Sequence, residues 1–286
     1  MYESNKMNDK GQIITIIGAG NMGTAILAGI VREGLTDPEN VRATGLRQGH
    51  LDGIHREYGV TTMLDNVTAV EDADVVVLCV KPQHLEPVLQ ELDNRLPEKT
   101  LVISIVAGAT LAMLSAGLNH SCIIRTMPNT PAQIGQGITV WTATEEVSEH
   151  QLQIAREILL AFGEEVQVTE EHYLDMATAV SGSGPAYVFL FMEAMIDASV
   201  HLGFPRHVAE KLVAQTLRGS VNYYDSQKDH PAKMRNNVTS PGGTSAAALY
   251  YLEKAGFRTA IARAIWAAYE RSVELGQGRH THNPEK

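Results

Sequence analysis

Apolar residues in the first half of the chain form short continuous runs, separated by segments with helical periodicity. The runs predict strands at residues 13–17, 41–44, 75–80, 101–105, 122–126, 138–141 and 165–168. The intervening segments predict helices at residues 22–33, 51–58, 85–92 and 111–116. A capping box, Ser148-Glu149-His150-Gln151, opens one more helix that ends before Gly163. Apolar strands alternating with helices indicate a mostly parallel sheet covered on both faces, so we expect an α/β domain over residues 1–169.

After about residue 170 the strand pattern ends and helices dominate. They are predicted at residues 185–202, 205–224, 244–255 and 258–275. The first is apolar almost all round, which is typical of a helix buried on every side. Because a small bundle cannot cover such a helix, we expect residues 170–286 to form an all-α domain that dimerises with a second copy of the chain. A self-contained bundle is the alternative.

The glycine pattern Gly18-Ala19-Gly20-Asn21-Met22-Gly23 lies between the first predicted strand and helix. In this G-x-G-x-x-G context the first glycine allows a tight turn, the second lets a pyrophosphate approach the backbone, and the third lets the helix pack on the strand. The phosphates would lie at the positive end of the helix dipole. The pattern predicts a dinucleotide site of Rossmann type, and an ordinary glycine-rich turn is the alternative.

The second predicted strand indicates which dinucleotide binds. It ends at Thr44 without the acid that would hold the ribose 2′-hydroxyl of NAD, and Arg42 and Arg47 flank its end. These residues suit a 2′-phosphate, so we expect NADP as cofactor, with NADPH preferred and NADH possible. The alternative is that Arg47 is a solvated surface residue.

Composition narrows the partners. The chain is 44% hydrophobic and 20% charged, as in globular proteins, and its net charge of -10 comes without a basic patch for nucleic acid. Cys79 and Cys122 lie in apolar strands and are predicted to be core residues in a reducing compartment. Residues 1–10 lack the apolar core of a secretory signal, and no uncharged apolar run approaches about 18 residues. We therefore expect a cytoplasmic protein that does not span a membrane.

Two small-residue loops each precede a helix in the second half. Ser181-Gly182-Ser183-Gly184-Pro185 comes before the apolar helix, and Ser240-Pro241-Gly242-Gly243-Thr244-Ser245 before a later one. The second loop exposes backbone N–H groups and hydroxyls at a helix start, which predicts an anion site and hence a carboxylate substrate; simple helix capping is the alternative. No metal motif, catalytic triad or dehydrogenase-type lysine is found, which favours a C=N hydride acceptor that needs no strong protein base.

These motifs, with Val80-Lys81-Pro82, Arg125-Thr126-Met127-Pro128-Asn129-Thr130-Pro131 and Ser183-Gly184-Pro185-Ala186-Tyr187, resemble the pyrroline-5-carboxylate reductase family from about residue 13 to 276. The resemblance implies NAD(P)H-dependent reduction of 1-pyrroline-5-carboxylate to L-proline, the last step of proline biosynthesis, with hydride transfer to the imine carbon. It also implies dimers assembled into a decamer. The alternatives are a related cyclic imine or ketone reductase and a non-catalytic NADP-binding regulatory protein.

The resemblance also implies roles for single residues. The expected cofactor-binding residues are Gly18, Ala19, Gly20, Asn21, Met22, Gly23, Thr44, Arg47, Asn66, Val80, Lys81, Pro82, Ile105, Val106, Ala107 and Asn237. The expected substrate-binding residues are Gly243, Thr244, Ser245 and Glu170, and Ser240 and Ser245 are the expected catalytic residues. Where this chain has Ser245 the family usually has Thr, so the hydroxyl is kept and a methyl group is lost.

Overall fold

The computed structural model describes residues 11–277, so the prediction made for residues 1–10 lies outside the described part. The chain divides into two compact units, one running to Ser183 and resuming at Ala268, the other comprising Gly184–Ala267. The predicted boundary after residue 169 falls inside unit 1. The segment that follows it packs with the sheet, because Leu174 is fully buried there and its helix contacts the sixth and seventh strands.

Unit 1 is built on one sheet. In the described residues it has eight strands: β1 (Ile14–Ile17), β2 (Val41–Thr44), β3 (Thr61–Met63), β4 (Val75–Leu78), β5 (Leu101–Ser104), β6 (Ile123–Met127), β7 (Gly137–Ala143) and β8 (Gly163–Gln167). Their order is β3-β2-β1-β4-β5-β6-β7-β8, and only the β6–β7 pair is antiparallel. The predicted mostly parallel sheet is confirmed. The sequence does not predict β3, because this strand has only three residues and none of them is buried.

Helices cover both faces of this sheet. They are α1 (Asn21–Glu33), α2 (Gln48–Tyr58), α3 (Asn66–Val70), α4 (Leu85–Leu92), α5 (Leu111–Leu118), α6 (Glu149–Leu160) and α7 (Tyr173–Ala177). Alternate residues of one strand enter opposite cores, since Val75 and Val77 join one buried cluster and Val76 the other. The Ser148 capping box that opens α6 is present, with both of its hydrogen bonds. A π-helical turn, Thr178–Gly182, follows α7.

Unit 2 is helical. Its helices are α8 (Gly184–His201), α9 (Arg206–Gln227), α10 (Pro231–Asn237), α11 (Thr244–Lys254) and α12 (Phe257–Gly276), the last of which continues into unit 1 from Ala268. α8 packs along α9, and the Arg206 guanidinium donates to Asp197 Oδ1 at 2.7 Å. This bond raises the pKa of Arg206 above its usual value. The short α10 was not predicted because its polar residues carry no apolar period.

The helix α8 has no buried residue in the single chain, although its sequence predicts burial on every side. Phe189 and Leu190 are 63% and 67% exposed. By length and composition alone, the longer stretch Tyr173–His201 is apolar enough to cross a membrane. The sequence predicts no such stretch on the criterion of an uncharged apolar run, and Glu193 and Asp197 lie within this one. An apolar surface of this extent needs a partner, and a second copy of the chain offers the same surface.

We expect Leu190→Asp to prevent self-association, because a carboxylate buried without a partner in an apolar interface costs several kcal/mol. Leu160→Asp is the matched control: Leu160 is 56% exposed on α6, in unit 1. Light scattering should give an oligomer for the wild type and the control, and monomer or aggregate for Leu190→Asp. A monomeric wild-type chain would contradict the expectation.

Candidate active site

The two central strands β1 and β4 are neighbours in the sheet, yet the chain leaves β1 towards β2 and enters β4 from β3 on the far side. This reversal of direction opens a crevice beyond the carboxyl ends of the strands, which is where open α/β sheets bind ligands. Two segments border the crevice: Gly18-Ala19-Gly20 after β1 and Cys79-Val80-Lys81 after β4. The Cys79 N–H donates to the Ile17 carbonyl at 2.8 Å and so fixes one segment against the other.

The glycine turn is as tight as its sequence predicts. Gly18 has a φ of +93°, and a Cβ atom there would lie 2.9 Å from Val80 Cγ1. A Cβ atom on Gly23 would lie 2.5 Å from the Gly18 carbonyl oxygen. At Gly20, by contrast, a Cβ atom would meet nothing within 4 Å, so this side of the turn is open. No side chain caps α1, which leaves its first N–H groups available to an anion beside that open side.

Backbone and side-chain groups of β2 and α2 hold the turn in place. The Ala19 N–H donates to the Thr44 carbonyl at 2.7 Å, and the Gly18 N–H donates to Thr44 Oγ1 at 3.3 Å. His50 Nε2 lies 2.7 Å from the Ala19 carbonyl oxygen, and because a carbonyl only accepts, Nε2 carries the proton. Thr44 is therefore a buried support of the turn. The sequence does not predict this role of His50, since nothing in the pattern distinguishes it from a surface histidine on α2.

The two arginines near the end of β2 have different surroundings. Arg42 Nη1 donates to the carbonyl oxygens of Ala69 at 3.2 Å and Glu71 at 2.5 Å. Carbonyls at the end of α3 therefore engage the Arg42 guanidinium, which leaves Arg47 as the arginine assigned to the 2′-phosphate. Arg47 is exposed and immediately precedes α2, whose start no side chain caps. A 2′-phosphate at this place would meet Arg47 and the first N–H groups of α2.

The other predicted cofactor residues of unit 1 lie after neighbouring strands. Lys81 and Pro82 are exposed after β4, and Val80 is partly buried against the glycine turn. After β5, Ile105 and Ala107 are partly exposed, whereas the side chain of Val106 is buried in the core. If Val106 contacts the cofactor, it therefore does so through its backbone.

Further residues near the crevice have partners that restrict their roles. Asn66, at the start of α3, donates to Glu91 Oε2 at 2.8 Å, and Asp65 caps this helix by accepting from the Thr68 N–H. That bond lowers the pKa of Asp65. Cys79 lies below the glycine turn, and burial raises the pKa of its thiol, which stays neutral.

The predicted substrate loop belongs to unit 2. Asn237 ends α10, and Gly243 immediately precedes α11 and donates its N–H to the Ser240 carbonyl at 3.0 Å. No side chain caps α11, so the first N–H groups of this helix, including those of Thr244 and Ser245, have no capping side chain. The alternative that the loop only caps α11 requires a side-chain hydrogen bond to the start of this helix, and the structure has no such bond there.

Glu170 lies in unit 1, and its carboxylate is 66% exposed and 3.3 Å from His172 Nδ1. The following residue, Glu171, instead contacts the buried Arg125 at 2.8 Å. The sequence pattern places Arg125 only at the start of a motif and does not predict this pair. The only signal was a charged residue within an otherwise apolar strand.

Comparisons with known proteins cover nearly the whole chain. The family model "Pyrroline-5-carboxylate reductase dimerisation" matches residues 171–275, and the model "NADP oxidoreductase coenzyme F420-dependent" matches residues 13–108. The pyrroline-5-carboxylate reductase of Synechocystis is 43% identical over 92% of this chain and 97% of its own length. That of Pseudomonas aeruginosa is 40% identical, with the same two coverages of 92% and 97%.

Solved structures show the same similarity. The pyrroline-5-carboxylate reductase of Coxiella burnetii superposes with a TM-score of 0.85 at 38% identity, covering 92% of this chain and 98% of that one. A Plasmodium falciparum pyrroline carboxylate reductase with NADP bound superposes with a TM-score of 0.85 at 31% identity, covering 93% and 99%.

We expect Arg47→Ala to weaken NADPH binding about tenfold or more, because it removes a charge-assisted bond to the 2′-phosphate. NADH binding should change little. Arg56→Ala is the matched control on the helix that follows Arg47, because the Arg56 side chain donates to the Asp52 carbonyl of the same helix. Fluorescence titration with both cofactors measures the effect. An equal loss for NADPH and NADH would remove Arg47 from the 2′-phosphate site.

Proposed function

The chain belongs to the pyrroline-5-carboxylate reductase family, and we propose that it reduces 1-pyrroline-5-carboxylate to L-proline, with the strand-end crevice assigned to the cofactor and the loop before α11 to the substrate carboxylate. It is an NAD(P)H-dependent oxidoreductase, and this reaction is the last step of proline biosynthesis. The observation that carries the proposal is the sequence identity of 43% and 40% with two reductases of this family. In both cases the alignment covers 92% of the chain and includes the sheet and the helical region.

The residues of unit 1 fit a dinucleotide. The open side of Gly20 and the uncapped start of α1 suit the pyrophosphate, while Arg47 suits a 2′-phosphate where an acid would favour NAD. Ile105 and Ala107 follow the next strand along the same edge of the sheet, and we assign them to the nicotinamide end together with the backbone of Val106. NADPH supplies the hydride when bound, and these residues orient it.

The substrate needs an anion site and a geometry for hydride transfer. We assign the substrate carboxylate to the N–H groups of Thr244 and Ser245 and to the Ser245 hydroxyl, which gain from the dipole of α11. Gly243 allows the carboxylate close to the backbone, and Ser240 offers a second hydroxyl. Glu170, in unit 1, is kept as a further proposed substrate-binding residue. The imine nitrogen arrives protonated, so the protein mainly provides orientation and excludes water.

The protein is a homo-oligomer, because residues 171–275 match the dimerisation model and α8 exposes its apolar residues in the single chain. We propose that the basic unit is a dimer and that dimers assemble into a decamer in the cytoplasm. The division into a cofactor domain, residues 1–169, and a dimerisation and substrate domain, residues 170–286, is also kept as a proposal. The dimerisation model begins one residue after that boundary, at residue 171.

An NADPH-oxidation assay tests the function directly. Turnover with 1-pyrroline-5-carboxylate is expected. Turnover restricted to other cyclic imines or ketones would assign a related reductase, and tight NADPH binding without turnover would assign a regulatory protein. The product should be identified as L-proline, and the rate should be compared with NADPH and NADH at equal concentrations.

We expect Ser245→Ala to lower kcat/KM for pyrroline-5-carboxylate by roughly ten- to a hundredfold, since a hydroxyl bond to a charged group contributes about 1.5–3 kcal/mol. Ser245→Thr should keep or improve activity, because it restores the usual family residue. Ser226→Ala, a change on the exposed part of α9, is the control. The affinity for NADPH should stay constant in all three. A lower Tm with unchanged kcat/KM would assign Ser245 to the stability of α11 and not to the site.

A further inference from the structure

The buried guanidinium of Arg125 is an unusual feature of the sheet. Arg125 lies on β6 opposite Ser104, the last residue of β5, and its side chain is only 4% exposed. Its Nη1 donates to Glu171 Oε1 at 2.8 Å, and its Nη2 lies 3.4 Å from Asp175 Oδ1. A buried charge needs its carboxylate partners. The two ion pairs of Arg125 therefore fix the positions of Glu171 and Asp175 relative to the sheet.

The Glu171 carboxylate has a second task. Its Oε1 atom, which accepts from Arg125, also accepts from the Leu111 N–H at 2.7 Å. Leu111 is the first residue of α5, where backbone N–H groups lack partners within the helix. Thr110 caps the same helix by accepting from the Met113 N–H. The chain of contacts from Arg125 through Glu171 therefore holds the end of the segment between β5 and α5.

The same segment is held from its other side by the end of α12. Gly108 has a φ of +77°, and a Cβ atom there would lie 3.2 Å from the Leu275 carbonyl carbon. This last turn is tied to the arginine cluster as well, because the Ser272 hydroxyl donates to Asp175 Oδ1 at 2.7 Å. Residues 105–110 are therefore held at two places, by the Leu111 N–H bond to Glu171 and by the last turn of α12. Both contacts lead back to Arg125, through Glu171 and through Asp175.

We infer that Arg125 is a positioning residue for the cofactor: through Glu171 and Asp175 it fixes the segment of residues 105–110, and with it the nicotinamide end of the crevice. The inference rests on the proposed assignment of Ile105 and Ala107 to the cofactor. Arg125 itself is assigned no contact with cofactor or substrate, because its guanidinium is buried against Glu171 and Asp175. Its effect passes through the Leu111 N–H and through the last turn of α12.

The test compares Arg125→Met, Arg125→Lys and, as a matched control, Arg156→Met. Arg156 also pairs with an acid in unit 1, Glu165 at 3.9 Å, and stacks on Trp141 away from the segment. Arg125→Met should raise KM for NADPH about tenfold or more, because a displaced segment misplaces the ring. Arg125→Lys should restore part of this loss. The control should keep the wild-type KM.

A second pair of variants separates positioning from general stability, and it serves where Arg125→Met fails to fold. Glu171→Gln keeps an oxygen for the Leu111 N–H and should retain a near wild-type KM for NADPH, whereas Glu171→Ala should raise it. Amide hydrogen exchange adds a local readout: Glu171→Ala should speed exchange at Leu111 while the amides of β5 stay protected.

The outcomes distinguish this inference from the proposed function. Wild-type turnover together with variants that lose only Tm, keep their KM for NADPH and keep Leu111 protected would overturn the inference alone. A wild type that binds NADPH but reduces no pyrroline would overturn the proposed function, while a change in NADPH affinity in the Arg125 and Glu171 variants would still support the positioning role.

Discussion

The close approach of the turn after β1 to the ends of β2 and β4 is the constraint on which the crevice depends. Two missing Cβ atoms, at Gly18 and Gly23, let the turn lie against Val80 and let α1 start directly above the sheet. Most backbone groups of the turn already have hydrogen-bond partners. The Ala19 N–H bonds to β2, the Ala19 carbonyl bonds to His50 on α2, and the carbonyl of Ile17, just before the turn, accepts from the N–H that follows β4. Its remaining open side, at Gly20, is therefore the side available to a phosphate.

The sequence predicts the sheet well because β1, β4 and β5 are buried on both faces and are therefore apolar at nearly every position. It fails for β3 and α3, which are short, partly exposed and carry no clear period. The same distinction holds in the site. The tight glycine turn follows from a local motif, so the sequence predicts its shape. The partners of Arg42 and His50 lie roughly 30 residues away along the chain, so no local pattern predicts them.

The helix α8 shows how a sequence can describe an assembly that the single chain does not contain. Its apolar residues on every side predict complete burial, and in one chain they are exposed. Both statements hold if a second copy supplies the missing contacts, and the match to a dimerisation family supports self-association. A hydrophobic pattern reflects burial in the assembled protein, so its mismatch with single-chain burial makes α8 the surface we assign to the interface.

The return of α12 to unit 1 also affects how the protein is made. The compact unit that carries the sheet is discontinuous: it includes the chain up to Ser183 and resumes only at Ala268. During synthesis, the residues that pack on the β5–α5 segment leave the ribosome only after the helices of unit 2 that precede Ala268. The nucleotide-binding unit of a nascent chain therefore stays incomplete until those helices have been translated.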